Sequence, residues 1–582
     1  MQVTHTGGRK VTIRRRDPDT LKRLPDEVIE SYPYCFTPTE KLTDKYGLVR
    51  TEDGYKGVYG TELTKVFFRN EYDRREWSRA NHTWEGTIPF TNQVLNDRVL
   101  GGGEPYPYYQ HRIWYVDGEW KKGSEEITIL SAYDSYSGKM FTWLQHPDVK
   151  PGMVTEIPCK NHPSGQKSVI FDTPAKAFSN ERQLLADFAA HMAKHDPDIL
   201  TGWYFVDADV STISTRMRKL GLDPKKMSPY NKHNFKYSVT DKRWTQPIPG
   251  RMCIDLMVAF KKLWTIKNGQ LAGQKLDEVA DFVLGERKVE LEDGHDTYYT
   301  DIGTYVDYNR QDVRLLPRLD ETLNVTGYFT SLQHLIQCDI ETTPLTTAPA
   351  TSLFLQDEDF DGRIPDNPRF NKVDYEGADI QEPEPGRYTN MAIMDIRAMY
   401  HSNVKLHNIC WTTLSEDGKD CGNGTKFTQE QRGLLGRVMD KMTVKRNEYK
   451  TLMKQATTDA EKRKWDAMQF ATKSMVASLY GVSGDSKYGM YHPDIAAAIT
   501  YTSRQTLFRL RDECNERGYP VRYGHTDSIF CEVPSPEEGL ELVAKINEIM
   551  TPIETEFEKW CESMILKRKN RYAGKVIWTD GT

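Results

Sequence analysis

Apolar positions in the first half of the chain alternate before they take up a helical period. HRIWYV (111–116) and EITILS (126–131) read as β-rich segments, and Phe141-Thr142-Trp143-Leu144 continues the pattern. The period lengthens over 181–195, ERQLLADFAAHMAKH, where a helix is predicted. Strands followed by helices predict an α/β domain running to about residue 325. Further on, MAIMDI (391–396) is the pattern of a buried strand. Residues 429–455 and 460–480 carry two long helical patterns joined by Ala456-Thr457-Thr458-Asp459, most simply an antiparallel helix pair. VRYGHTDSIFCEVP (521–534) reads as strand–turn–strand with Gly524-His525-Thr526-Asp527 at the tip.

Two tracts break the pattern. Residues 17–105 are polar and rich in turns, and Gly101-Gly102-Gly103-Glu104-Pro105 places a first boundary. Residues 340–390, rich in Pro, Asp, Glu and Gly, read as an extended connection. No repeat of about 20–50 residues is visible, which excludes solenoids and propellers.

Composition sharpens this. A length of 582 residues allows several cores, and aromatic residues at 11%, spread throughout, exclude collagen-like and disordered chains. No apolar stretch approaches a membrane span, and no apolar run follows the basic N-terminus. A protein of the cytoplasm, without a membrane partner, is therefore expected. Cys35, Cys159, Cys253, Cys338, Cys410, Cys421, Cys514, Cys531 and Cys561 form no C-x-x-C pair, so reduced thiols are expected and no zinc or iron–sulfur site. The net charge of −6 excludes a uniformly basic coat while leaving room for a basic groove.

The candidate chemistry is acidic. Asp395 ends an apolar strand and Asp527 sits in a hairpin turn; if these converge, the pair suits divalent cations and two-metal phosphoryl transfer. Asp117 and Glu119, two apart, face one side of a strand, and Tyr308 and Asp312, four apart, share a helix face. With Asp209 they suit metal-assisted hydrolysis of a phosphodiester, although each taken alone reads rather as a solvated surface acid. Asp339-Ile340-Glu341 repeats the D-x-E pattern without an evident strand partner. On the long helices, Arg446 and Lys450, then Lys473, Ala477 and Tyr480, could grip a triphosphate and offer a ring to a base, or form an ordinary charged helix surface. No P-loop pattern exists, so side chains would hold any nucleotide.

Taken together these segments resemble a family B DNA polymerase with a proofreading exonuclease domain, of the kind phages and archaea carry. MDIRAMYHSN (394–403) resembles motif A, KSMVASLYG (473–481) motif B, RYGHTDSIF (522–530) motif C and KNRY (569–572) the K-K-R-Y element. RNEYK (446–450) resembles the basic fingers helix, and YEGA (375–378) the Y-x-G-G/A element. VDGEW, GWYFVDADVSTI and YNRQDV resemble the three exonuclease motifs, and TWEGTIPFTNQVLNDR (83–98) the text that precedes that domain.

The resemblance implies a multidomain α/β and α+β fold. It consists of an N-terminal domain (1–105), an RNase H-like 3′→5′ exonuclease domain (106–325), a connection (326–390), a ferredoxin-like palm (391–428 and 485–582) and helical fingers (429–484). The family's right-hand form without its thumb is expected, because the chain stops shortly after Tyr572; a second polypeptide of a split polymerase is expected to supply the thumb.

Template-directed primer extension with dNTPs is implied, with two Mg²⁺ (or Mn²⁺) per active site. Asp395 and Asp527 would bind metal for synthesis, and Asp117, Glu119, Asp209 and Asp312 for proofreading, with Tyr308 orienting water. Tyr400, Arg446, Lys450, Lys473 and Tyr480 would bind nucleotide, with Tyr400 excluding a 2′ hydroxyl. Tyr375, Gly377, Lys569, Arg571 and Tyr572 would contact primer–template DNA, and a sliding clamp is a further expected partner. The short span from Asp395 to Lys473 implies a nucleic-acid primer. His525 replaces the first aspartate of motif C, Ala477 replaces the Asn of motif B, and Ala398 and His401 replace Ser and Pro of motif A. These departures motivate two rivals: a stand-alone 3′→5′ exonuclease with a decayed polymerase site, and a DNA-binding scaffold subunit.

Overall fold

Strand alternation builds the first of two sheets that carry the candidate residues. In the computed structural model, Val154–Ile157, Ala175–Phe178, Lys139–Gln145, Ile127–Asp134, Ile113–Trp120, Ile199–Gly202 and Met252–Asp255 lie side by side in that order. Ile113–Trp120 pairs antiparallel with Ile127–Asp134 and parallel with Ile199–Gly202. The period of two sends successive residues to opposite faces. Leu130, Trp143 and Phe178 join Leu184, Phe188 and Met217, whereas Ile129, Leu144 and Ala177 join Tyr298, Tyr305 and Val306.

Helices therefore cover both faces. Glu181–His195 starts where the Asn180 side chain accepts from the Gln183 N–H and stops at Asp196, which adopts the left-handed conformation. Ile302–Leu323 starts in the same way at Asp301.

The described residues are all but 40–46, 151–152, 158–173, 234–235, 239–242, 246, 272, 290, 292–293, 343–346, 367–371 and 580–582. They form two compact units. One comprises Met1–Ser31, Phe90–Leu345 and Ala456–Met468; the other comprises Tyr32–Pro89, Thr346–Gln455 and Gln469–Thr582. In the first unit the N-terminal strands Gln2–Gly7, Lys10–Arg14 and Glu27–Glu30 form a small antiparallel sheet. Their flanking arginines anchor on two acids: Arg16 and Arg23 reach the buried Asp198 at 2.7 and 2.5 Å, and Arg14 and Arg251 reach Asp196 at 2.9 and 3.0 Å.

The second unit is built on a five-stranded antiparallel sheet ordered Val521–His525, Ser528–Glu532, Gly386–Ile396, Thr555–Arg568, Arg571–Thr579. MAIMDI is its central, buried strand. Ala392, Met394 and Ile396 pack on Leu507, Leu510, Leu542 and Ile546 of the helices Pro493–Glu516 and Pro536–Met550, while Met391 and Ile393 face Tyr523, Phe530 and Met564. Each such side chain contributes about 2 kcal/mol through burial.

Two readings of polar tracts need correction. Residues 17–105 hold the strands Tyr34–Pro38, Leu48–Gly57 and Glu62–Phe68 and the helices Glu71–Ala80 and Phe90–Leu100. Their turn residues space a real core of Tyr34, Phe36, Leu63, Phe67 and Trp84. The tract 340–390 contains the helix Thr347–Leu355, with Pro349 tolerated near its start and Phe354 packed edge-on to Trp411 at 5.6 Å. From 372 to 385 the chain forms neither helix nor strand and touches a sheet only through the single bridge between Ile380 and His525.

The two long helices run Leu434–Gln455 and Asp459–Leu479, so 429–433, predicted helical, lies outside the first helix. Among the described residues no helix is long and apolar enough to cross a membrane. Eight cysteines are free thiols; Cys159 lies outside the described residues.

Candidate active sites

In the first unit Asp117 and Glu119 lie on one side of Ile113–Trp120, and Asp312 reaches them from Ile302–Leu323. One carboxylate oxygen from each of the three falls within 4.8 Å of the others. Asp209, on the wide π-helical turn Val206–Val210, faces Gly118, where a Cβ would stand 3.5 Å from its Oδ1. Asp209 and Asp312 are buried, and Oδ1 of each lacks a hydrogen-bond partner.

Four acids this close cannot all ionise unaided. Burial, then Asp312, Asp209 and Glu119, pushes the Asp117 carboxyl well up; burial and Asp312 push Glu119 up to about 7; burial pushes Asp312 up to about 6, against Lys288. The Tyr308 hydroxyl lies beside Glu119 and opposes the rise of that carboxyl, and is itself raised by burial and by the charges of Glu119 and Asp312.

Two partners were missed by sequence reasoning. Lys288 Nζ lies 2.5 Å from Asp312 Oδ2 and 5.6 Å from the Tyr308 ring centroid. Asn309 donates to Asp117 Oδ2 at 2.9 Å. Asn309 sits inside YNRQDV, so its motif offered a signal; Lys288, in GERKVE, offered none.

In the second unit Asp395 and Asp527 come to neighbouring strand ends. Asp395 stands opposite Ser528 on one side and Glu556 on the other, and the Ile396 N–H donates to the Asp527 carbonyl at 2.8 Å. The register with Thr555–Arg568 shifts between Ile393 and Met394, which leaves Glu558 unpaired in a bulge. Burial, then Asp527, Glu558 and Glu556, pushes Asp395 up to about 7, and Lys473 opposes them. Burial also raises Asp527, against its own backbone hydrogen bond and the neighbouring His525 and Lys473. Glu556 and Glu558 had no sequence signal, because only strand register brings them here.

Tyr400 and Tyr480 stack with centroids 4.0 Å apart and planes 10° apart, so one face of Tyr480 is covered by Tyr400. Arg446 is half-buried with Nε unpartnered, and Lys450 is exposed. Burial and the nearby charge of Arg397 depress the Arg446 guanidinium; burial, Arg446 and Arg397 depress the Lys450 amine. Ala398 adopts the left-handed conformation at φ 47°, turning the chain from the strand into the helix Met399–His407. His401 is bonded to Asp440 at 3.1 Å, which ties that helix to Leu434–Gln455.

The remaining predicted residues sit on well-held backbone. Arg504 donates to the carbonyls of Glu376 and Gly377 at 2.8 and 2.7 Å, and the Tyr375 hydroxyl fills the space beside Gly484 that a Cβ would need. Lys569 lies in the hairpin turn after Thr555–Arg568, and Arg571 and Tyr572 open the next strand, all exposed. The Asn570 N–H donates to the Tyr523 hydroxyl at 3.0 Å, and Tyr572 packs on Phe530 at 5.0 Å, fixing this hairpin against the one that carries Asp527.

The sequence has relatives whose names bear on these sites. It is 27% identical to the DNA polymerase delta catalytic subunit of Schizosaccharomyces pombe, with 71% of this chain and 42% of the relative covered. It is 28% identical to a DNA polymerase of Archaeoglobus fulgidus, with 84% and 62% covered, and 23% identical to DNA polymerase 1 of Pyrococcus abyssi, with 99% and 77% covered. The chain thus spans less than two thirds of the length of the first two. The family model for the exonuclease domain of DNA polymerase family B matches residues 126–279, and the model for DNA polymerase family B matches 332–582. With both matched in order along the sequence, the chain belongs to DNA polymerase family B and carries that family's exonuclease domain.

Proposed function

We propose that this chain is a DNA-directed DNA polymerase that extends a primer 3′ end with dNTPs and removes mispaired ends with a separate 3′→5′ exonuclease. The observation that carries the reading is the meeting of Asp395 and Asp527 at adjacent strand ends beside Lys473 and the Tyr400–Tyr480 stack. The five-stranded sheet then serves as the palm, Leu434–Gln455 and Asp459–Leu479 as the fingers, and the seven-stranded sheet as the RNase H-like exonuclease.

The residues present fit divalent cations at both sites. Carboxyl groups held up to about 7 at Asp395 and at Glu119 by burial and neighbouring acids are groups that cation charge relieves. Asp395 and Asp527 would hold Mg²⁺ or Mn²⁺ for synthesis; Asp117, Glu119, Asp209 and Asp312 would hold it for hydrolysis. The ions, when bound, supply positive charge that activates the attacking oxygen and stabilises the leaving group.

The chain's own side chains do the rest. Lys473, Arg446 and Lys450 bind the triphosphate, and the Tyr400 ring, backed by Tyr480, blocks the place of a 2′ hydroxyl. In the second site Tyr308, beside Glu119, orients the attacking water, while Lys288 holds Asp312 in place. Tyr375, the backbone at Gly377, Lys569, Arg571 and Tyr572 lie along the primer–template. The test is primer extension by the purified chain beside Asp395→Ala. Loss of extension in the variant supports the reading; equal extension by both would refute the assignment.

A further inference from the structure

A fourth cation stands with Arg446 and Lys450. Arg397 follows Asp395 by two residues, and its backbone N–H is fixed to the Glu554 carbonyl at 2.9 Å. Its guanidinium reaches Glu554 Oε2 at 2.8 Å and Glu556 Oε1 at 3.2 Å. Glu556 is the register partner of Asp395, so these pairs place Arg397 at the mouth of the carboxylate site. Its charge is felt by both Arg446 and Lys450, and the nearby negative charge they feel in return is that of Glu556. Of the three, Arg397 is the one paired directly with Glu556, and it pairs with Glu554 as well.

The Arg397 pairs are exposed: the guanidinium is 58% accessible, and its two partners 62% and 49%. Ion pairs this open to water hold their partners weakly. A terminal phosphate offers the same guanidinium two parallel hydrogen bonds and a higher charge. The backbone stays pinned while the side chain is free to exchange one anion for another.

We propose that Arg397 is a further binding residue for the nucleoside triphosphate, exchanging the carboxylates of Glu554 and Glu556 for its terminal phosphates. This rests on the polymerase reading above and deepens it. Arg397 would set how tightly the polyphosphate tail is held, leaving base choice and the chemical step to other groups. The same group would hold the departing pyrophosphate, so the reverse reaction must feel it too.

The test measures KM for dNTP, kcat, KM for primer–template, and KM for pyrophosphate in the reverse reaction, for the native chain, Arg397→Leu, Arg397→Lys and Glu554→Gln. Binding of a dNTP with Mg²⁺ to the complex with a 3′-deoxy-terminated primer is measured separately. Arg397→Leu is expected to raise the dNTP and pyrophosphate KM values about tenfold, with kcat and the primer–template KM within about twofold. Arg397→Lys should recover part of the loss, and Glu554→Gln, which frees the guanidinium, should lower the dNTP KM. An unchanged dNTP KM in Arg397→Leu, or dNTP and primer–template KM values that rise together, overturns the inference while the polymerase reading stands. If the native chain extends no primer, that reading fails; nucleotide binding lost in Arg397→Leu would then still support the inference, and binding unchanged or absent would overturn it.

Discussion

Ala398 shows at single-residue scale how the site is aimed. Its left-handed backbone, at φ 47°, turns the chain between Asp395 on the strand and Tyr400 on the helix, and a Cβ in that conformation costs about 1 kcal/mol. Ala398→Gly should therefore raise stability by up to about 1 kcal/mol, read as a shift in urea midpoint at constant slope. Tyr400 carries a sharper prediction, because its ring is fixed by the stack on Tyr480. Tyr400→Ala should raise ribonucleotide incorporation relative to deoxynucleotide by about tenfold or more, measured as a ratio of kcat/KM values. An unchanged ratio would remove Tyr400 from sugar selection. Lys288 is the matching case in the exonuclease. Its ammonium opposes the pKa shifts of Asp117, Glu119 and Asp312, so Lys288→Met should cost at least tenfold in primer shortening and leave extension intact.

At the scale of elements, local periodicity was legible and long-range register was not. Asp117 with Glu119 followed from strand parity, and Tyr308 with Asp312 from helix spacing, since both relations are fixed within one element. The helix over 181–195 and the strand at 391–396 were read for the same reason. Glu556 and Glu558 could not be found that way: a bulge and an antiparallel pairing across more than a hundred residues bring them to Asp395. The polar tracts misled because their cores are sparse aromatic clusters set between turns.

One connection between elements lends itself to titration. Arg23, His111 and Arg16 outweigh burial and hold the Asp198 carboxyl well below the usual range. A depressed folded-state value means the stabilisation is complete above the ordinary aspartate pKa, near about 4, and is lost as pH falls below it. Asp198→Ala should cost about 3 kcal/mol at pH 7, because it removes the buried carboxylate that Arg16 and Arg23 share and leaves them only Asp196, and the gap to the native chain should narrow as pH is lowered through that range.

For the molecule as a whole, the two carboxylate sites lie in different compact units, so metal binding should act on each separately. Mg²⁺ at about a hundredfold excess over its dissociation constant should stabilise a unit by about 2.7 kcal/mol. Asp117→Ala should remove only the share of the first unit and Asp395→Ala only that of the second. Calorimetry resolves the two, because a chain of two units need not unfold in one step. Equal loss of metal stabilisation in both transitions from either single substitution would contradict independent sites.

The most direct measurement places both chemistries on one substrate: a labelled primer with a mismatched 3′ end, on template, with Mg²⁺ and four dNTPs. The account predicts that the native chain first shortens and then extends this primer. Asp395→Ala should shorten it without later extension, and Asp117→Ala should lose shortening while still extending a matched primer. Shortening that persists in Asp117→Ala, or extension that persists in Asp395→Ala, would contradict the division of labour between the two sites.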